Sequence, residues 1–126
     1  MAFAHDSTRP TAPSGSQLAA LADAIVKLHK DTCGRGPKNA RCFSSGNAVV
    51  CLLFGGLTHG EQTLIEHGEE AAVADQRAAF YRVMHDQARD LVEQQLGRRV
   101  VAMTMGTDPA NELETAVFVL DSAPDL

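Results

Sequence analysis

Tryptophan is absent from these 126 residues and tyrosine occurs once. A stacking platform for single-stranded nucleic acid needs several such rings, so that mode of binding is disfavoured. Cations are also scarce: Lys and Arg number 11 against 16 Asp and Glu, giving a formal net charge of -5. No run of Lys or Arg offsets it, and such a surface repels a phosphate backbone. Nucleic acid is therefore disfavoured as a partner. Long apolar stretches are missing as well. The longest, Ala48 to Phe54, falls far short of the roughly 20 residues that a membrane-spanning helix needs. Met1 to Gly15 lacks the apolar stretch of a secretory signal. These absences lead us to expect a cytoplasmic protein without membrane insertion.

Cysteine is sparse too. Cys33, Cys42 and Cys51 are odd in number, and their spacings match no CxxC zinc pattern. In a reducing compartment they read as small buried or half-buried side chains. His29 and Cys33 stand four apart, but two ligands do not make a metal site, and the other histidines are scattered in sequence. Ser44-Ser45 has no His or Asp at a recognisable distance. Glu66, Glu69, Glu70 and Asp75 form an acidic patch that the dipole of a following helix explains. No catalytic set, metal or cofactor is expected.

What is present is the composition of one soluble domain, with 44% hydrophobic and 21% charged residues. Residues 1–16 carry Pro10, Pro13 and Gly15 with little to bury and read as a tail; residues 17–121 read as the domain and 122–126 as a second tail. From Gln17, the residues Leu18, Leu21, Ile25 and Leu28 recur at helical spacing, and Ser14 or Ser16 is placed to cap that helix. Gly34, Gly36 and Pro37 stop it. Asn39 to Ser44 is a short strand, Ser44 to Asn47 a turn, and Ala48 to Phe54 a strand with no polar alternation. Such a strand should be covered on both faces, by the helices or by a second copy of the chain.

Thr58-x-x-Glu61 is a capping box, followed by a short helix from Gly60 to His67 and a break at Gly68. A long helix runs from about Glu69 to Leu96. Its stripe is Val73, Phe80, Met84, Ala88 and Leu91, widened by Tyr81, Val92 and Leu96. Gly97 closes it. Arg98 to Met105 is a third strand, Gly106 to Asn111 a loop and Thr115 to Leu120 a fourth strand. The order loosely repeats itself: helix, Gly-Arg, strand, turn, apolar strand, and again. We therefore expect an α+β two-layer fold, α-β-β-α-α-β-β, with a mostly antiparallel four-stranded sheet.

The glycine-rich turn from Gly34 to Arg41 holds the candidate anion site. Arg35, Lys38 and Arg41 surround exposed backbone N–H groups, including that of Gly36. Gly34, Pro37, Thr58, Glu61 and Gly97 are assigned capping or structural roles.

With these loops placed, the chain resembles the MpsC-like family of bacterial domains, formerly of unknown function. The resemblance runs from about Gln17 to Leu120. It rests on Leu28-His29-Lys30 leading into Gly34-Arg35-Gly36-Pro37, then Val49 to Phe54 followed by Leu57-Thr58 and Glu61. It ends on Leu96 to Val100 with Val117-Phe118-Val119. The resemblance implies an accessory role in a cation-translocating, membrane-potential-generating system, with transporter subunits linked to uptake of inorganic carbon as partners. It carries no established catalytic residues. Together these readings lead to a non-catalytic regulatory protein that forms a homodimer. The alternatives are a small-anion or nucleotide sensor built on the Gly34 to Lys38 loop, and an RNA-binding module.

Overall fold

A computed structural model describes residues 12–121. The stretches 1–11 and 122–126 of the expected tails lie outside the described residues. Helix α1, Gly15–Cys33, starts two residues earlier than the apolar pattern, because Ser14 and Gln17 form a capping box. The Ser14 hydroxyl accepts from Gln17 N–H at 3.1 Å, and the Gln17 side chain accepts from Ser14 N–H at 2.9 Å. Two orphan donors of the first turn are thereby satisfied. Gly34, at φ 90°, closes the helix and donates to the Lys30 carbonyl. Strands β1, Asn39–Ser45, and β2, Ala48–Phe54, form a hairpin across a two-residue turn in which Gly46 has φ 57°.

Helix α2, His59–Glu66, carries the expected capping box between Thr58 and Glu61. Helix α3, Glu70–Leu96, is 27 residues long and spans about 40 Å. Gly97, at φ 66°, closes it as Gly34 closes α1, so the two Gly-Arg joints are structurally equivalent. Strand β3 is Val100–Asp108, a single 3-10 turn follows at Pro109–Asn111, and strand β4 is Leu113–Leu120. The loop expected from Gly106 is strand as far as Asp108. There Gly106 and Thr107 pair with Thr115 and Glu114 of β4, and that pairing overrides the weak strand propensity of glycine.

The sheet is antiparallel throughout with order β1-β2-β4-β3. The two apolar strands are central, and each hairpin supplies one edge. The α+β two-layer expectation is met. Helices α1 and α3 pack on one face of the sheet, over Val49, Cys51, Leu53, Ala116, Phe118 and Leu120, and contribute Leu21, Ile25, Ala88 and Val92 to that core. The buried stripe of α3 is Val73, Arg77, Tyr81, Met84, Ala88, Val92 and Leu96. Phe80 and Leu91, placed on the stripe from the sequence, lie half-buried at its margins. The helix is rolled toward Tyr81 and Val92 because it packs on α1 as well as on β3.

One of the two covers expected for β2, the long helix, is corrected. Among the described residues, no helix covers the second face of β2. Buried Val49, Cys51 and Leu53 alternate with half-exposed Ala48, Val50 and Leu52, and β4 alternates in the same way. The long helix shares its face of the sheet with α1, which leaves the other face open among the described residues.

Phe118 is fully buried at the centre of the core. Phe118→Ala is expected to lower stability by about 3–5 kcal/mol, measured as a drop in the urea midpoint at constant slope.

Candidate functional site

Two features stand out beyond ordinary packing: a charged cluster inside the core and an apolar sheet face outside it. The cluster centres on Arg77, which is 0% exposed. It lies on the apolar stripe of α3, four residues after Val73 and four before Tyr81, so the helix drives its guanidinium into the interior. Two carboxylates meet it there. Glu61, from the first turn of α2, accepts from Arg77 Nε at 2.8 Å and from Nη2. Glu114, on the core face of β4, takes Nη1 with both oxygens at 3.1 and 3.2 Å. The Gly56 carbonyl accepts from Nη2 at 3.0 Å.

Tyr81 and His29 complete the cluster. The Tyr81 hydroxyl lies 2.6 Å from Glu114 Oε2 and 3.2 Å from the Gly106 carbonyl. His29 Nδ1 is 3.0 Å from the Ile25 carbonyl; a carbonyl only accepts, so Nδ1 carries the proton. Nε2 then faces Glu114 Oε2 at 3.9 Å. These contacts join α1, α2, α3, β3 and β4 at one point. No buried side-chain N or O among the described residues is left without a hydrogen bond, as a buried ion cluster requires.

The environment shifts the titrations of His29, Glu61, Arg77 and Tyr81. Burial pushes the His29 imidazole below its ordinary range, against the attraction of Glu114. For Glu61 burial acts upward, but the Arg77 hydrogen bonds and the Thr58 N–H outweigh it and hold the carboxyl below its usual range. Burial also opposes the Arg77 charge, yet Glu61 and Glu114 raise its pKa further. Burial and the adjacent Glu114 charge push the Tyr81 phenol up. Arg77, Glu61, Glu114 and Tyr81 thus occupy one another's donors and acceptors, with His29 beside them.

The Gly34 to Arg41 cations are divided between two places. Pro37 is buried, and its ring lies beneath Gly56, where an added Cβ would come within 3.3 Å of the proline backbone. Gly36 rests on Val26 and Lys30 of α1, and the exposed Lys38 runs its stem across Gly55. Arg35 is half-buried at the same connection. Arg41 is apart from them, on the sheet face away from the helices, with its guanidinium 5.8 Å from the centroid of the Phe43 ring. The structure therefore does not gather Arg35, Lys38 and Arg41 into one cradle. No group of three His, Cys, Asp or Glu among the described residues has metal-binding geometry.

That open face is the second feature. The register aligns Phe43, Val50, Val117 and Thr104 in one cross-strand row and Arg41, Leu52, Thr115 and Gly106 in the next. Flanking rows bring Phe54 beside Leu113 and Ala48 beside Val119. Phe43 is 40% exposed, Phe54 42% and Val119 37%. Its centre is aliphatic, and Arg41 and Asp108 stand on opposite edge strands.

Of the cluster, the sequence singles out Glu61 as a cap, Tyr81 as part of an apolar stripe and His29 only beside Cys33. Arg77 and Glu114 were missed. Their signal was phase: each is a charge in the core register of its element, Arg77 between Val73 and Tyr81, and Glu114 two residues before Ala116.

Compared with known proteins, residues 14–122 match the family model described as "Na+-translocating membrane potential-generating system (MpsC)". The uncharacterised protein YrhF of Bacillus subtilis (strain 168) is 26% identical over 105 residues, covering 82% of this chain and 86% of that protein. No solved structure matches. No helix among the described residues is long and apolar enough to cross a membrane.

Removing Arg77 leaves two carboxylates facing each other in the core. Arg77→Met is expected to cost about 3–5 kcal/mol, and Arg77→Lys should not restore it, because a point charge cannot hold both carboxylates bidentately. Urea unfolding of the two variants checks this.

Stability should also fall in two steps on acidification. The unfolded chain protonates His29 near its ordinary 6.5 while the folded chain resists, so unfolding takes up a proton below that pH and stability drops. Glu61 contributes stability above its ordinary 4.5 that is lost as pH falls toward its lower folded value. His29→Gln should abolish the first step and keep the second, read from urea midpoints across a pH series.

Proposed function

Because the chain belongs to the MpsC family of the Na+-translocating membrane potential-generating system, we propose that it is a non-catalytic, cytoplasmic accessory protein of such a system. It works as a homodimer closed by the open sheet face and docks on the membrane subunits. The observation that carries the dimer is the uncovered aliphatic face on both central strands. A non-catalytic role is supported by the buried cluster, whose titratable groups are engaged with one another and not directed at a cleft.

The face suits a second copy of itself. Seven residues at about 3.4 Å along each strand, with four strands about 4.8 Å apart, make a patch of about 450 Å² before side-chain relief is counted. Two such patches approach the roughly 1,000 Å² of a small specific interface. Apolar sheet faces stack about 10 Å apart with strands nearly aligned. With the twofold axis along the strands, β1 of one copy lies over β3 of the other. Arg41 then approaches the partner's Asp108, and the symmetry repeats the contact. The two charges stand on opposite edges, as this pairing requires.

Light scattering over a concentration series tests the reading. The unmodified chain should show twice its monomer mass. Val50→Glu, at the centre of the face, should give a folded monomer with an unchanged circular dichroism spectrum. Arg41→Asp should weaken the dimer, and adding Asp108→Arg should restore it. A wild-type chain that stays monomeric throughout overturns the dimer, and failure to co-purify with membrane subunits overturns the accessory role.

A further inference from the structure

Cys42 and Cys51 are direct partners in the antiparallel register of β1 and β2. They sit on the same face of the sheet, the one that packs on the helices, and their side chains are hydrogen-bonded to each other. Both are free thiols. Nine residues apart, they were set aside on spacing; hairpin pairing makes them adjacent. We propose that Cys42 and Cys51 form a reversible cross-strand disulfide within one chain when the protein meets a peroxide, and that this hairpin is an oxidisable site of the chain.

The environment assigns the two sulfurs different roles. Cys42 lies on an edge strand and is half-buried, so a molecule as small as hydrogen peroxide reaches it, whereas Cys51 is fully buried beneath the helices. The hydrogen bond from Cys51 lowers the Cys42 pKa against the effect of burial. The same bond, with burial, raises that of Cys51. Cys42 is therefore the sulfur that ionises more readily, and Cys51 the proton donor beside it. Cys33 serves as an internal comparison. It is buried in a separate cluster with Tyr81 and Met84, and burial pushes its thiol up to about 11.

The chemistry balances with one peroxide. The Cys42 thiolate attacks one peroxide oxygen; the O–O bond breaks, hydroxide leaves and takes a proton to become water, and the Cys42 sulfur is oxidised to sulfenic acid. The Cys51 sulfur then attacks the Cys42 sulfur. The S–S bond forms as the S–O bond breaks, and the departing hydroxide takes the Cys51 proton as a second water. Two thiols and one hydrogen peroxide give one disulfide and two waters. Directly opposed residues hold their Cβ atoms about 4.5–5.5 Å apart, and a disulfide spans about 3.5–4.5 Å. An edge strand, paired on one side only, can make that approach. The site does not depend on how the outer face of the sheet is used.

The test uses the full chain, native, exposed to hydrogen peroxide, then denatured, alkylated and cleaved by trypsin. No Lys or Arg lies between Cys42 and Arg77, so both cysteines fall in one peptide. That peptide should lose the mass of two hydrogens and accept no alkyl group, while Cys33 is still alkylated. Dithiothreitol should reverse the change. In Cys51→Ser, dimedone should trap a sulfenic acid at Cys42; in Cys42→Ser, neither product should form. A peptide that keeps two alkylatable thiols, a bridge to Cys33, or a link between two chains overturns the proposal.

Discussion

Arg77 determines how the helical layer sits on the sheet. A guanidinium with no solvent exposure requires compensating charge from several directions, and Glu61, Glu114 and the Gly56 carbonyl supply it from a helix start, a central strand and a connecting loop. Hydrophobic packing tolerates sliding by a residue or a turn; a charge with five placed donors does not. The helix-start geometry at Thr58 follows from the same constraint. Glu61 serves both as the capping carboxylate and as a partner of Arg77, so α2 cannot move without breaking its own cap.

The two faces of the sheet divide the labour. On the helical face, apolar side chains and the ion cluster are enclosed by one chain. On the other, the same central strands present aliphatic side chains that none of the described elements covers. Scattered exposed residues such as Val83 on α3 and Leu64 on α2 are ordinary surface. A contiguous row through Phe43, Val50 and Val117 is a surface built to be met. This asymmetry is what supports the proposed accessory role, since the polar network is closed inside the domain and the apolar rows lie outside it.

The halves of the chain are also related in space. Each helix closes on a glycine, each is followed by an edge strand and then a central one, and the central strands pair with each other. The capping box at Thr58 and the glycine closures were legible because they depend on neighbours within a few residues. The Arg77 cluster was legible only in outline. A charge in the core phase of a helix marks a buried ion, but its partners lie 16 and 37 residues away, and no local pattern names them.

The sequence alone determined the element order, the α+β class and the family, since these rest on local periodicity, turn chemistry and motif order. It also determined that the central strands carry apolar side chains on both faces. Which face stays open was decided by tertiary structure: α1 and α3 both pack on the same side of the sheet. The register likewise set Cys42 against Cys51 and brought Arg77 between Glu61 and Glu114. Contacts between residues distant in sequence are fixed by the packing of whole elements, and that packing is a property of the folded chain as a unit.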